Sequence, residues 1–319
     1  MRKTELLARA AQLPDDEETA IPDERLELIF ACCHPALAAD AQVALTLSLV
    51  GGLTTQEIAR AFIVPEATLA QRLVRAKRKI RVAGIPLRVP PEHLLPERLR
   101  TVLAAIYLVF NAGYGPPVRR ELCAEAVRLA LLLATLMPDE AEVHGLHALV
   151  LLQDARRDAR VSHDGRLVLM EDQDRGLWDE GEIDQGRAAL ERGLRLRMPG
   201  PYQLQAAIAA LHSAPETDWS EVALLYGRLL ELAPSPVVEL NRAVAVAMAE
   251  GPREGLALVD AIDGLDGYYL LHATRADLLR RLDRGADAAA AYERALALAP
   301  SDVERDFLRG RLVEGREGP

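Results

Sequence analysis

GGLTTQEIARAFIVPEATLAQRLVRAKRKIR, residues 51–81, carries spacing, capping and charge that point to one local fold. Thr54 and Glu57 form the S/T-x-x-E pattern of a capping box, which starts a helix by satisfying its first free amides. That helix turns Ile58, Ala59 and Phe62 inward and then stops. Pro65 suits the first turn of a second helix, where a missing N–H costs nothing. From there Leu69, Leu73, Ala76 and Ile80 recur at steps of four and three, one apolar stripe. Thr68, Gln71, Arg72, Arg75 and Lys79 fall roughly opposite that stripe on a helical wheel. A short helix, a tight turn and a second helix with an apolar back and a cationic front make a helix-turn-helix, which places its second helix in the major groove of DNA.

The charge pattern agrees. Residues 60–88 hold eight basic side chains against the single acid Glu66, a net of +7, whereas the chain as a whole carries −10, so everything else amounts to −17. A cationic island in an acidic protein calls for a polyanionic partner. At 319 residues the chain has room for two or three domains. Half of it is apolar, yet aromatics are only 4 %, and Ala and Leu dominate, which favours packed helices over sheets. No apolar run approaches the ~20 residues of a membrane helix, and residues 1–30 are too charged for a secretory signal. Three cysteines form no disulfide framework and indicate a reducing cytoplasm.

Ahead of the helix-turn-helix, residues 1–22 read as a helix fragment and an acidic linker. From Asp23 the chain becomes periodic through Leu26, Ile29 and Phe30, and Pro35 ends that helix. A supporting helix over residues 38–50 shows Val43, Leu47 and Val50 on one face and closes at Gly51-Gly52. Cys32, Cys33 and His34 have two readings, a zinc site or buried thiols at a helix end. Adjacent residues seldom converge on one ion and no second cysteine pair follows at zinc-site spacing, which favours the thiols.

The block DERLELIFACCHPALAADAQVALTLSLVGGLTTQEIARAFIVPEATLAQRLVRAKRKIR resembles region 4 of an extracytoplasmic-function sigma factor of the sigma-70 family. More narrowly it is similar to the subgroup with a carboxy-terminal tetratricopeptide-like extension, as are LPERLRTVLAAIYLVFNAGY, EDQDRGLWD, GPYQLQAAIAALH and APSPVVELNRAVAVA. The resemblance implies a subunit that docks on core RNA polymerase and reads the promoter −35 element. It also implies a region 2 domain ahead of region 4, and Met1 falls at what looks like the tail of that domain. By the same resemblance Thr68, Gln71, Arg72 and Arg75 stand where base edges and nearby phosphates are approached. Arginine suits the O6/N7 pair of guanine and glutamine suits adenine. Lys77, Arg78, Lys79 and Arg81 read as phosphate contacts, Lys77 and Arg81 lying off the front face where acidic polymerase surface is the other option. Thr54 and Thr55, at the start of the first helix, suit a backbone phosphate. Ala70 departs from the basic or polar residue that many sigma factors carry there.

The prolines of residues 84–96 make an extended connector, with a domain boundary near residue 90. An apolar helix over residues 99–110 should be broken by Asn111-Ala112-Gly113-Tyr114-Gly115. Farther on, YGRLLELAPS at Tyr226 aligns with YERALALAPS at Tyr292, an offset of 66 residues or about two tetratricopeptide periods. Helix pairs are expected over 236–249 with 255–262, and 268–282 with 286–299. Residues 122–153 read as an earlier divergent copy. Asp164-Gly165 marks a hairpin or extended loop.

Two candidate sites lie in this half. His144 and His147, one turn apart, could join Glu171, Asp172 and Asp174 in a carboxylate–histidine metal site, the starting point of an enzyme hypothesis. Acidic capping of a helix near Trp178 is the plainer reading, because no nucleophile arrangement accompanies them. Tyr202, Gln205 and His212 share a helix face that either lines a groove for a ligand or partner or forms a structural polar network with Gln203.

The expected protein is all-α. Residues 1–22 are a linker or remnant, 23–88 a region 4-like helix-turn-helix domain and 89–319 a helical tetratricopeptide-like domain. It is a DNA-binding sigma factor and not an enzyme, needs no cofactor, and works in the cytoplasm with promoter DNA, core RNA polymerase and a regulatory protein. A metal-dependent enzyme built on residues 171–174 and a helical-repeat scaffold are the alternatives.

Overall fold

The computed structural model describes residues 23–317 apart from positions 63, 116, 117, 164, 165 and 167. The expected fragment over residues 1–22 and the Asp164-Gly165 turn therefore lie outside the described residues. The chain divides into two compact units, residues 1–150 and 151–319, and the regular structure described is helical.

In the first unit α1 (Glu24–Cys32), α2 (Ala39–Leu49), α3 (Thr55–Ala61), α4 (Glu66–Val82), α5 (Leu95–Tyr114) and α6 (Arg120–Leu136) follow in order, and the division falls inside α7 (Ala141–Asp154). Asp23 caps α1 by accepting from Arg25 N and Leu26 N at 3.1 and 2.8 Å. Its carboxylate also binds the Arg128 guanidinium, which reaches Glu125 as well, so that charge ties the start of α1 to α6. Burial alone would raise the Asp23 pKa, but Arg128 and the two capped amides outweigh it and hold the carboxyl below its ordinary value.

The centre of this unit is α2, which packs against α1, α3, α4 and α5. Ala41, Ala44, Leu45, Thr46 and Leu47 are all buried, while Val43 is only half-buried, so the expected stripe of Val43, Leu47 and Val50 is too narrow. A helix packed on several sides keeps only a narrow solvent face, so its apolar pattern shows little period. Even Gln42 is buried there, its amide donating to His34 O and Leu37 O at 3.0 Å each.

Two glycines decide the path. Gly52 follows α2 at φ +64°, the left-handed turn that leads the chain back toward α3. Gly113 corrects the expected break at residues 111–115, because α5 runs through to Tyr114. A Cβ on Gly113 would stand 2.7 Å from Arg119 O and from Leu122 Cβ, so this glycine admits the start of α6 and does not stop α5. The expected boundary near residue 90 falls within the first compact unit, where α5 packs on α1 and α2.

In the second unit α8 (Glu180–Arg195), α9 (Pro201–His212), α10 (Trp219–Leu232), α11 (Pro236–Ala249), α12 (Pro252–Asp260), α13 (Tyr269–Arg281), α14 (Gly285–Leu298) and α15 (Asp302–Glu317) each pack on the next. The helices α11 to α14 fall on the two expected pairs within a few residues. The helix α11 also touches α13, and a shared core from Leu240 through Tyr292 to Leu308 runs through α11 to α15. Before α8, Arg157 binds Asp154, Asp179 and Glu182 together. On either side of positions 164 and 165, Ser162 N donates to Arg166 O and Val168 N to Arg160 O, both at 2.9 Å.

Candidate nucleic-acid interface

The capping box forms as the sequence requires. Thr54 N and Oγ1 donate to Glu57 Oε2 at 2.7 and 2.8 Å, and Glu57 N donates to Thr54 Oγ1 at 3.2 Å. Glu57 also meets Arg119 at 3.3 Å, so the start of α3 is tied to the residue that precedes α6. One consequence is chemical: the Thr54 amide already serves a carboxylate, and Thr55 is the first helical residue beyond it. Pro65 takes the cap position of α4, one place earlier than expected, its carbonyl receiving Thr68 N and Leu69 N at 3.0 and 3.2 Å.

On α4 the stripe is as read: Leu69, Leu73, Ala76 and Ile80 are buried. Thr68, Gln71, Arg75, Lys77, Arg78, Lys79 and Arg81 are exposed, and Glu66 is the only acid on the helix. Arg72 differs from its neighbours. Its side chain is 28 % exposed, its Nη1 lies 3.1 Å from Asp40 Oδ2, and its guanidinium stands 5.8 Å from the centre of the Phe62 ring. Nη1 makes no hydrogen bond, so the Asp40 contact is an ion pair without hydrogen-bond geometry. Arg72 therefore sits on the flank of the cationic face, braced by α2 and by the turn between α3 and α4. A groove of about 320 Å³ opens there, lined by Leu37, Ala41, Thr68, Gln71, Arg75 and Lys79 among others.

The sequence reading missed Asp40 and Val74. Val74 is 66 % exposed, three residues after Gln71 and four before Arg78, an apolar group amid the polar front. Wheel position marks Val74; nothing local marks Asp40, whose role depends on how α2 packs across α4.

Cys32 and Cys33 are buried and in no disulfide. Burial pushes Cys33 up to about 12 and Cys32 higher still, so neither supplies a thiolate at neutral pH. His34 is lowered by burial, and its Nδ1 accepts from Ala36 N at 3.1 Å.

His144 and His147 are buried in α7, His144 Nε2 lying 2.8 Å from Pro138 O. Glu171, Asp172 and Asp174 are exposed, and Asp174 accepts from Gly176 N at 2.8 Å while Asp179 caps α8. Among the described residues no group of three or more His, Cys, Asp and Glu side chains is placed to hold a metal. On α9, Gln205 donates to Pro201 O at 3.2 Å within its own helix. Gln203 is buried and donates to Met198 O at 2.7 Å, and Tyr202 is half-buried. His212 stacks obliquely on Trp219 with ring centres 5.1 Å apart, and burial together with Arg156 and Arg175 lowers its pKa to about 4.

Residues 27–80 match the family described as Sigma-70, region 4, a non-catalytic domain, and residues 98–194 match a family of unknown function, DUF6596. Uncharacterized protein R00370 of Rhizobium meliloti (strain 1021) is 48 % identical over 300 residues, covering 91 % of this chain and 71 % of that protein. No helix among the described residues is long and apolar enough to cross a membrane. Most of the exposed cationic helix lies inside the segment matching sigma-70 region 4, so this is a transcription-related all-α chain in which a region 4-like segment precedes further helices, and by its likeness to R00370 over most of both chains the protein belongs to the family of that Rhizobium meliloti protein.

Proposed function

We propose that α3 and α4 form a DNA-reading pair that places α4 in the major groove of a promoter −35 element, in the service of core RNA polymerase in the cytoplasm. The observation that carries this reading is the outward face of α4, where Gln71, Arg75 and Arg78 are exposed and no acid follows Glu66. Gln71, Arg72 and Arg75, with Thr68, face base edges. Arg78 and Lys79 hold phosphates, Lys77 and Arg81 turn from the front face toward acidic polymerase surface, and Thr55 meets a backbone phosphate beside the occupied Thr54 cap. The helices of the second unit form a tetratricopeptide-like stack that presents a surface to polymerase or to a regulatory protein. Their next-neighbour packing, the α11–α13 contact and the Tyr226 and Tyr292 repeat support that part.

The test is selection of bound duplexes from a randomised pool, followed by titration of the enriched duplex and a scrambled one across salt. One motif is expected to enrich, with affinity falling steeply as salt rises. Gln71→Ala should relax preference at one position by about 1–3 kcal/mol, and Arg72→Ala should do the same at another. Equal losses on both duplexes would reduce that arginine to a phosphate contact. Absence of any enrichment or salt-dependent binding would end the proposal.

A further inference from the structure

The second unit holds a groove of about 480 Å³ whose chemistry is mixed in a particular way. Its apolar wall comes from Val244 and Met248 on α11, Leu270 and Ala273 on α13, and Phe307 and Leu308 on α15. Met248 and Leu270 are 37 % and 39 % exposed, so the rim of the wall faces solvent, while Leu308 behind it belongs to the core. Three arginines stand on this groove: Arg175, Arg281 and Arg311.

What holds these guanidinium groups decides the reading. Arg175 lies 4.7 Å from the centre of the Trp178 ring and donates to Ala214 O at 2.5 Å. Arg281 donates to Ala247 O at 3.4 Å, and Arg311 stands 5.7 Å from the centre of the Phe307 ring. For Arg175 and Arg281 the partners are carbonyls, a ring and a thioether, with no carboxylate among the described residues. An arginine held on an aromatic face or a carbonyl has paid part of its ordering entropy while keeping its full charge and further donors for a carboxylate. Two acids also line the groove. Asp277 is paired with Arg280 at 2.7 Å, which leaves Glu171, exposed, as the remaining opposing charge.

We propose that this groove binds an acidic, aliphatic segment of a partner protein, its leucine-type side chains against Met248, Leu270 and Phe307 and its carboxylates on Arg175 and Arg281. The assignment rests on the reading of the second unit as a partner-binding surface and names the chemistry of that partner. Charge complementarity selects an acidic occupant over a basic one, and the exposed apolar wall selects a segment with aliphatic side chains over a bare anion.

The experiment uses the whole chain and a short fluorescein-labelled peptide in which Glu and Asp alternate with Leu, followed by anisotropy. Saturable binding is expected, weakened about tenfold or more by Arg281→Glu and by Leu270→Asp. It should be unchanged by Arg228→Glu, a charge reversal at an exposed position of α10 outside the groove lining. Melting by circular dichroism shows that the variants fold. No saturable binding, equal binding of a peptide with Gln and Asn in place of the acids, equal weakening by Arg228→Glu, or full displacement by free succinate would each overturn the assignment. Binding of the selected duplex, measured on the same samples, separates this outcome from failure of the DNA reading, because the substitutions lie outside α4.

Discussion

At the scale of single residues, His212 and Arg72 each have a property set by neighbours distant in sequence. Burial between Trp219 and the cations Arg156 and Arg175 keeps His212 neutral to about pH 4 when folded. Unfolded, it would protonate near its ordinary value of about 6.5. Between those two values the unfolded chain binds a proton that the folded chain refuses, so acidification through that window favours unfolding. His212→Gln is expected to lose less stability between pH 7 and pH 4.5 than the parent, by on the order of 2 kcal/mol. Urea midpoints at the two pH values check this, and parallel losses in both proteins would remove His212 from the account. Arg72 has Asp40 and Phe62 as its braces. Asp40→Ala removes an acid from beside the proposed phosphate path and frees the guanidinium to wander. Affinity for a scrambled duplex should then rise a few-fold while the ratio of selected to scrambled binding falls. An unchanged ratio in the same titrations would mean that Asp40 has no part in placing Arg72.

At the scale of elements, Gly113 separates two accounts of α5. If Gly113 merely weakened α5 at a right-handed helical position, alanine there would be stabilising, since alanine exceeds glycine by about 1 kcal/mol in helix propensity. Because its Cβ would meet the Arg119 carbonyl at 2.7 Å, a backbone atom with little room to yield, Gly113→Ala is expected to destabilise by about 2 kcal/mol. The sign of the shift in denaturant midpoint decides between them. The same contrast explains what could be read in advance. The α4 stripe and the Thr54–Glu57 box are local patterns, set by residues three or four apart, and they stand as the sequence implied. Gly113 and the broad burial of α2 were not legible, because a glycine that breaks a helix and one that admits a neighbour look alike, and a helix packed on several sides shows little period. Asp40 escaped for the same reason: its contact with Arg72 is made by tertiary packing alone.

For the molecule as a whole, the decisive quantity is the separation of charge: +7 over residues 60–88 against −10 for the entire chain. Such a protein is repelled by DNA at long range and held at short range, so its binding depends on how few cations sit at the contact. Arg78 and Lys79 are exposed on α4 and lie nearer the face of Thr68, Gln71 and Arg75 on a helical wheel, whereas Lys77 and Arg81, also exposed, lie round the other side of the helix. Under the DNA reading, Arg78→Ala with Lys79→Ala should flatten the slope of log affinity against log salt by about 2, one unit for each phosphate no longer neutralised. Lys77→Ala with Arg81→Ala carries the same change in net charge from the flank. A nonspecific field effect would make the two pairs equal, whereas a seated helix makes the first pair costly on DNA and leaves the second nearly silent there. The flank pair should instead reduce capture of core RNA polymerase, measured by co-sedimentation at fixed salt, since acidic protein surface is the other partner a cationic flank can meet. Equal salt slopes for both double variants would dissolve the distinction between front and flank, and with it the claim that α4 enters the groove in one orientation.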